Sequence, residues 1–128
     1  MIEIQDAIID KLRTENPLLC FFAYVEENQK PPYSVVSFPE LDENDTDTEA
    51  GFSASVQIES YSRYRGAKEV AEVNKAIYDS LHRVTLSDTN SYGISTIQQS
   101  FSSIVTEGDG LTRVSVQRFT VIFEPLPV

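Results

Sequence analysis

Tryptophan is missing from this 128-residue chain, and cysteine, methionine and histidine occur once each. A lone Cys20 forms no internal disulfide, and one histidine with one cysteine makes no Cys/His zinc set. Glycine is scarce at five residues, and none builds the loop whose backbone amides cradle phosphate. No serine stands in a G-x-S-x-G elbow, so that nucleophile arrangement is excluded. Long hydrophobic runs are lacking too. The longest, Leu18 to Val25, has eight residues, against the roughly 20 that a membrane helix needs. Bases are the minority, 10 against 20 acids, giving a formal charge of −10. Binding to nucleic acid depends on cations that release counterions from phosphate, so this balance argues against it.

What remains is the composition of one acidic domain, long enough to bury a core without disulfide or metal. The chain opens with Glu3 and Asp6 rather than a basic lead into an apolar segment, so a cytoplasmic, soluble product is expected. The charge is uneven. Residues Glu40 to Glu49 hold six acids and no base, and the other 118 residues hold 14 acids against 10 bases, a net of −4. Like charges at this density repel, so residues 40–51 are expected to form an acidic mobile loop.

Ile4, Ala7, Ile8 and Leu12 fall at helical spacing and predict a first helix, stopped at Asn16-Pro17 because the residue before proline avoids helical angles. Leu18 to Val25 is continuously apolar and suits a strand covered on both sides. Tyr33 to Phe38 is β-rich between prolines, and Phe52, Ala54, Val56 and Ile58 alternate with polar residues as a half-buried antiparallel strand does. Ala67, Val70, Ala71, Asn74, Ile77, Tyr78 and Leu81 form the apolar stripe of a second helix. Across it, Asp79 and Arg83 are placed to pair four residues apart. Two more strands follow, Tyr92 to Phe101 and Thr112 to Glu124. In the last, the apolar phase slips between Val116 and Phe119, which predicts a bulge or a change of covering layer near Gln117-Arg118. The order α-β-β-β-α-β-β describes a single α+β domain, two main helices packed on an antiparallel or mixed sheet.

Chemistry is hard to assemble from these residues. Calcium loops of the EF-hand kind want Gly at position 6 and Glu at position 12. Counting from Asp42 gives Asp47 and Ser53 there, and counting from Asp45 gives Ala50 at position 6. His82 stands where a helix ends and suits a cap on its carbonyls. Cys20, within Leu18 to Phe22, reads as a small core hydrophobe. No catalytic, cofactor-binding or metal residue is assigned. Arg63 and Arg65 are more informative, because they stand at a helix entry whose dipole disfavours cations. They could meet acids on another surface, such as Asp42, Glu43, Asp45, Asp47 and Glu49 of a neighbouring copy, where charge pairs would set register. These seven residues are the interface candidates.

Several phrases in order resemble a known family. They are the opening helix Ile4–Leu12, Pro32-Tyr33-Ser34-Val35-Val36 before the acidic segment, and the alternating strand running into Tyr61-Ser62-Arg63. After Gly66 comes the helix ending Ile77-Tyr78-Asp79-Ser80-Leu81, then Asp109-Gly110-Leu111-Thr112-Arg113 and Phe123-Glu124-Pro125. Together they span most of the chain outside the acidic segment and roughly residues 84–100. In these phrases the chain resembles the small tail terminator proteins, also called tail completion or tail-to-head joining proteins, of long non-contractile-tailed phages and prophages. The resemblance implies a structural protein, with no enzyme activity and no cofactor. It implies a self-assembled ring, usually a hexamer, on the head-proximal end of the tail tube. Such a ring stops tube polymerisation and presents the surface that joins the head, so its partners are itself, the tube protein and a head-completion or connector protein. The implied location is the virion tail, reached from the host cytoplasm, with no membrane and no sequence-specific nucleic acid. Exposed strand edges and six tyrosines offer material for subunit contacts. Another head-tail connector component, or an unrelated α+β binding module, would share these sequence features.

Overall fold

A computed structural model describes residues 2–24, 30–46, 49–63, 68–83, 92–106 and 111–125. The elements are α1 (Ile2–Glu15), β1 (Phe21–Phe22), β2 (Tyr33–Thr46), β3 (Glu49–Ser62), α2 (Lys68–Leu81), β4 (Tyr92–Thr106) and β5 (Arg113–Pro125). The order is the α-β-β-β-α-β-β expected from the sequence. The strands form one mixed sheet ordered β1-β2-β3-β5-β4. β1 runs parallel to β2 and the other pairs are antiparallel. Because β5 inserts between β3 and β4, β3 lies at the centre and β4 is one edge, while the other edge is β1 beside Ser34 and Val35 and β2 itself beyond them.

Both helices cover one face. Ile4, Ile8 and Leu12 of α1 and Val73, Ile77 and Leu81 of α2 pack on Val36, Ala54, Val56, Ile58, Ile97, Phe119, Val121 and Phe123 of the sheet. Burying one such side chain contributes about 1.5–3 kcal/mol. Asn16 ends α1 and ties the helices together: its Nδ2 donates to Leu12 O at 3.0 Å and to Ser80 Oγ at 2.9 Å. The α2 stripe is rotated from the expected one. Val73 is buried, whereas Ala71 and Tyr78 are exposed, because the sheet below selects a narrower arc than hydropathy alone. Arg83 follows α2 with φ of 58°, the left-handed turn common after a helix end, and its N–H donates to Ile97 O. Among the described residues it forms no ion pair with Asp79.

Three expectations are corrected. Among the described residues of the apolar run 18–25, which exclude Val25, only Phe21–Phe22 is strand. Phe21 is buried, but Leu18 is 96% and Tyr24 81% exposed, and Cys20 is exposed rather than core. The run lies on a sheet edge, where no described element covers its outer side. The phase slip in the last strand is not a bulge in β5, whose register with β3 is unbroken. Ser115, Gln117, Phe119, Val121 and Phe123 all sit on the helix side, and the first two are polar because α2 presents Asn74 above them. The irregularity lies in β4, where the register shifts between Gln99 and Phe101 opposite Phe119 and Arg118.

The third correction concerns the acidic segment. Residues 40–46 and 49–51 are the outer part of the β2–β3 hairpin, paired as far as Thr46 with Glu49. Like charges directly opposite destabilise a strand pair. Here Glu40, Asp42, Glu43 and Asp45 oppose Ser55, Ser53, Phe52 and Ala50, and no acid faces an acid. The register thus pairs a segment expected to be a loop without placing acid opposite acid. The shift in register between Ser37 and Glu40 spans Pro39, which has no N–H to give the ladder.

Asn74 is the polar link between helix and sheet. Its Oδ1 accepts from Ser115 Oγ, its Nδ2 donates to Ser102 Oγ at 3.1 Å, and its carbonyl accepts from Gln117 Nε2 at 3.0 Å. Asn74→Ala leaves the buried Ser115 hydroxyl without this acceptor and is expected to cost about 1–3 kcal/mol in urea unfolding. Adding Ser115→Ala should recover part of that loss. A strictly additive double-mutant cycle would contradict the coupling.

Candidate functional site

With both helices on one side, no element among the described residues lies on the other face of the sheet. Register places Tyr33, Val35 and Ser37 of β2, Gln57, Glu59 and Tyr61 of β3, Val116 and Arg118 of β5, and Phe101 and Val105 of β4 there. A belt of contacts crosses this face. The Tyr33 and Tyr61 rings stack at 5.0 Å, and the Glu59 carboxylate accepts from Tyr61 Oη and Gln57 Nε2. Arg118 Nε donates to Gln57 Oε1 at 2.9 Å while its guanidinium lies 5.6 Å from the Phe101 ring centroid. Held by both hydrogen bonding and the ring, Arg118 presents a fixed cation at the β4 side of the sheet.

The two edges differ. At the β1 edge, Arg13 donates from Nε and Nη2 to Phe21 O at 3.2 and 2.6 Å. Beside it a groove of about 510 Å³ runs between the end of α1 and the start of α2, lined by Glu15, Leu18, Leu19, Glu69, Glu72 and Val73. A hydrogen bond from Lys11 holds the Glu15 carboxyl below the usual carboxylate range, and Glu69 accepts from Ser62 Oγ at 2.6 Å. At the β4 edge, Gln99 N–H donates to His82 Nδ1 at 3.1 Å, and the His82 ring stacks on Tyr78 at 4.5 Å. His82 thus caps the sheet edge rather than the carbonyls of its own helix. Beyond it Phe101, Ile104 and Val105 are 41–50% exposed.

The interface candidates are split between the ends of β3. Asp42, Glu43, Asp45 and Glu49 lie in the hairpin, and Arg63 follows the last residue of β3, exposed, with Nε 3.3 Å from Thr112 Oγ1. Asp47 and Arg65 lie outside the described residues, as does the turn at Gly108-Asp109-Gly110. A 14-residue strand is about 45 Å long, so one chain does not bring the hairpin acids to Arg63. Sequence reasoning missed Tyr33, Tyr61, Arg118 and Phe101, which meet only through strand pairing. It also missed the exposure of Leu18, whose only signal was its place between Pro17 and a two-residue strand.

Among the described residues the geometry assembles contacts across a sheet face and its edges. It defines an α+β domain in which, among the described residues, helices close one face of the sheet and leave the other face and both edges uncovered. A family model described as "Tail completion protein gp17" matches residues 6–124, and the chain belongs to that family. It is accordingly a structural protein of phage-type tails. The chain is also similar to a solved chain of the "Virion of native gene transfer agent (GTA) particle", with a TM-score of 0.81 and 13% identity over 95% of each chain. At that identity the likeness concerns the fold. No curated protein matches.

The paired hairpin makes a direct prediction. Amides that bond across β2 and β3 between residues 41 and 55 should exchange with solvent more slowly than random coil. Coil-like exchange throughout 40–51 would restore the loop.

Proposed function

We propose that this chain is the tail terminator of a phage or prophage. Copies close into a hexameric ring on the head-proximal end of the tail tube, stop its polymerisation and present the surface to which the head joins. The observation that carries this reading is the family match across residues 6–124. The likeness of fold to a chain of a gene transfer agent virion supports it. The partners are other copies of the chain, the tube protein and a head-completion or connector protein, met in the host cytoplasm and retained in the virion tail. A net charge of −10 suits a ring through which DNA slides without sticking, since anionic walls repel phosphate. A ring also needs contacts between unlike surfaces that close into a cycle, and two distinct end faces. The hairpin acids and Arg63, at opposite ends of β3, supply unlike poles that could set register between copies or with the tube.

Absolute mass by light scattering, over a concentration series and at low salt, tests this first. A species near six chain masses, seen as rings by negative stain, is the expected result. A chain that stays monomeric both alone and on isolated tube ends would contradict it, and rings that bind portal assemblies but not tube ends would make it a connector. Replacing Arg63 and Arg65 with Ala together should weaken ring formation or docking and flatten its salt dependence. Unchanged assembly at low salt would remove these residues from the interface.

A further inference from the structure

The described residues include seven exposed large hydrophobic side chains, and six of them mark the two edges of the sheet. Leu18 and Tyr24 flank β1, at 96% and 81% exposure. Phe101, Ile104 and Val105 lie on β4, and Leu111 in the turn that follows it. The seventh, Tyr78, stacks on His82 at the same β4 edge. Apolar residues gathered this way mark surfaces that are covered in an assembly.

Carboxylates line the groove on the β1 side and arginines stand on the β4 side, with Lys11 and Arg13 also on the β1 side, bonded to Glu15 and to Phe21 O. Glu15, Glu69 and Glu72 line the groove at the β1 edge. At the β4 edge Arg118 lies over Phe101, and Arg113 Nη1 donates to Thr106 Oγ1 at 2.6 Å. Two β4 edges placed together would oppose arginines, and two grooves would oppose carboxylates. An unlike pair brings apolar surface to apolar surface with opposite charges at the rim. The main chain is partly committed on both sides, Phe21 O to Arg13 and Gln99 N–H to His82, which blunts these edges against simple strand addition.

We infer that the 18–24 segment and its carboxylate-rimmed groove receive the 101–106 stretch of β4, with Arg118 and Arg113, from a second copy of this chain, head to tail. The contact is made by side chains. It rests on the ring reading for its closure into a cycle, but the pairing itself does not need the cycle to close.

Leu18→Asp and Val105→Asp test it, since both residues are exposed and both variants should fold, as circular dichroism would show. Each variant alone is expected to lose assembly and stay monomeric. Mixed one to one, they retain one intact pair of edges and should give a dimer that grows no further. Cys20 supplies a second readout. Its Cα and that of Ile104 belong to opposite edges of a five-stranded sheet about 19 Å wide, beyond the 4.4–6.8 Å that a disulfide spans. Oxidation of I104C, with S102C and T106C to cover register, should therefore yield intermolecular disulfides to Cys20 and a ladder of covalent oligomers. Rings that persist in both Asp variants would overturn the inference while leaving the ring reading intact. Head-to-tail dimers or open chains without rings would uphold the inference and sink the ring. A chain monomeric at every concentration, with no disulfide to Cys20 from any of the three variants, would overturn the inference.

Discussion

One-sided burial is the constraint on which the rest of this structure depends. Two amphipathic helices of 14 residues each cover only one face of a five-stranded sheet. Ala54, Val56 and Ile58 of the central strand therefore lie under helices, while the intervening Ser55, Gln57 and Glu59 face the other way. The same choice makes Ser115 and Gln117 core-side residues, and α2 provides Asn74, which accepts from the Ser115 hydroxyl and from Gln117 Nε2. An apolar pair at those positions would bury as well. The polar set adds geometric demands, which tie α2 to one position along β5.

The open face follows from the same constraint. A sheet face without a helix must be wetted or covered by another molecule, and here it carries stacked tyrosines, a carboxylate with two donors and an arginine held over a phenylalanine. The edges are unequal because β1 has two residues and β4 fifteen. Inequality of edges is what permits contacts to repeat around an axis rather than stop at a two-fold pair. Family membership gives the chain its role as a structural component of a tail.

Much of the fold was legible in the sequence. The alternation from Phe52 to Ile58 identified the central strand, and Ile4, Ile8 and Leu12 identified α1, because period alone decides which side of an isolated element is apolar. What was not legible depends on pairing between distant residues. Leu18 to Val25 is apolar throughout, yet among its described residues only Phe21 is buried, since the run lies at an edge that no local pattern reveals. The acidic stretch read as a loop because charge was counted along the chain, whereas repulsion in a hairpin is decided across it. Val114 and Val116 disagreed in phase with Phe119 because Asn74, some 40 residues earlier, reserves the core-side positions for Ser115 and Gln117. For the candidate site, the sequence offered Arg63 and the acids as interface candidates but not that a full strand separates them. The belt from Tyr33 to Phe101 needed the register of four strands to be seen at all.

The most direct test of the central claim is the length distribution of tail tubes, measured by electron microscopy as purified tube protein polymerises with and without this chain. The account predicts shorter, uniform tubes, each bearing a ring at one end only, in proportion to the amount of chain added. Tubes that grow to the same lengths with bare ends, or that carry the chain along their sides, would contradict it.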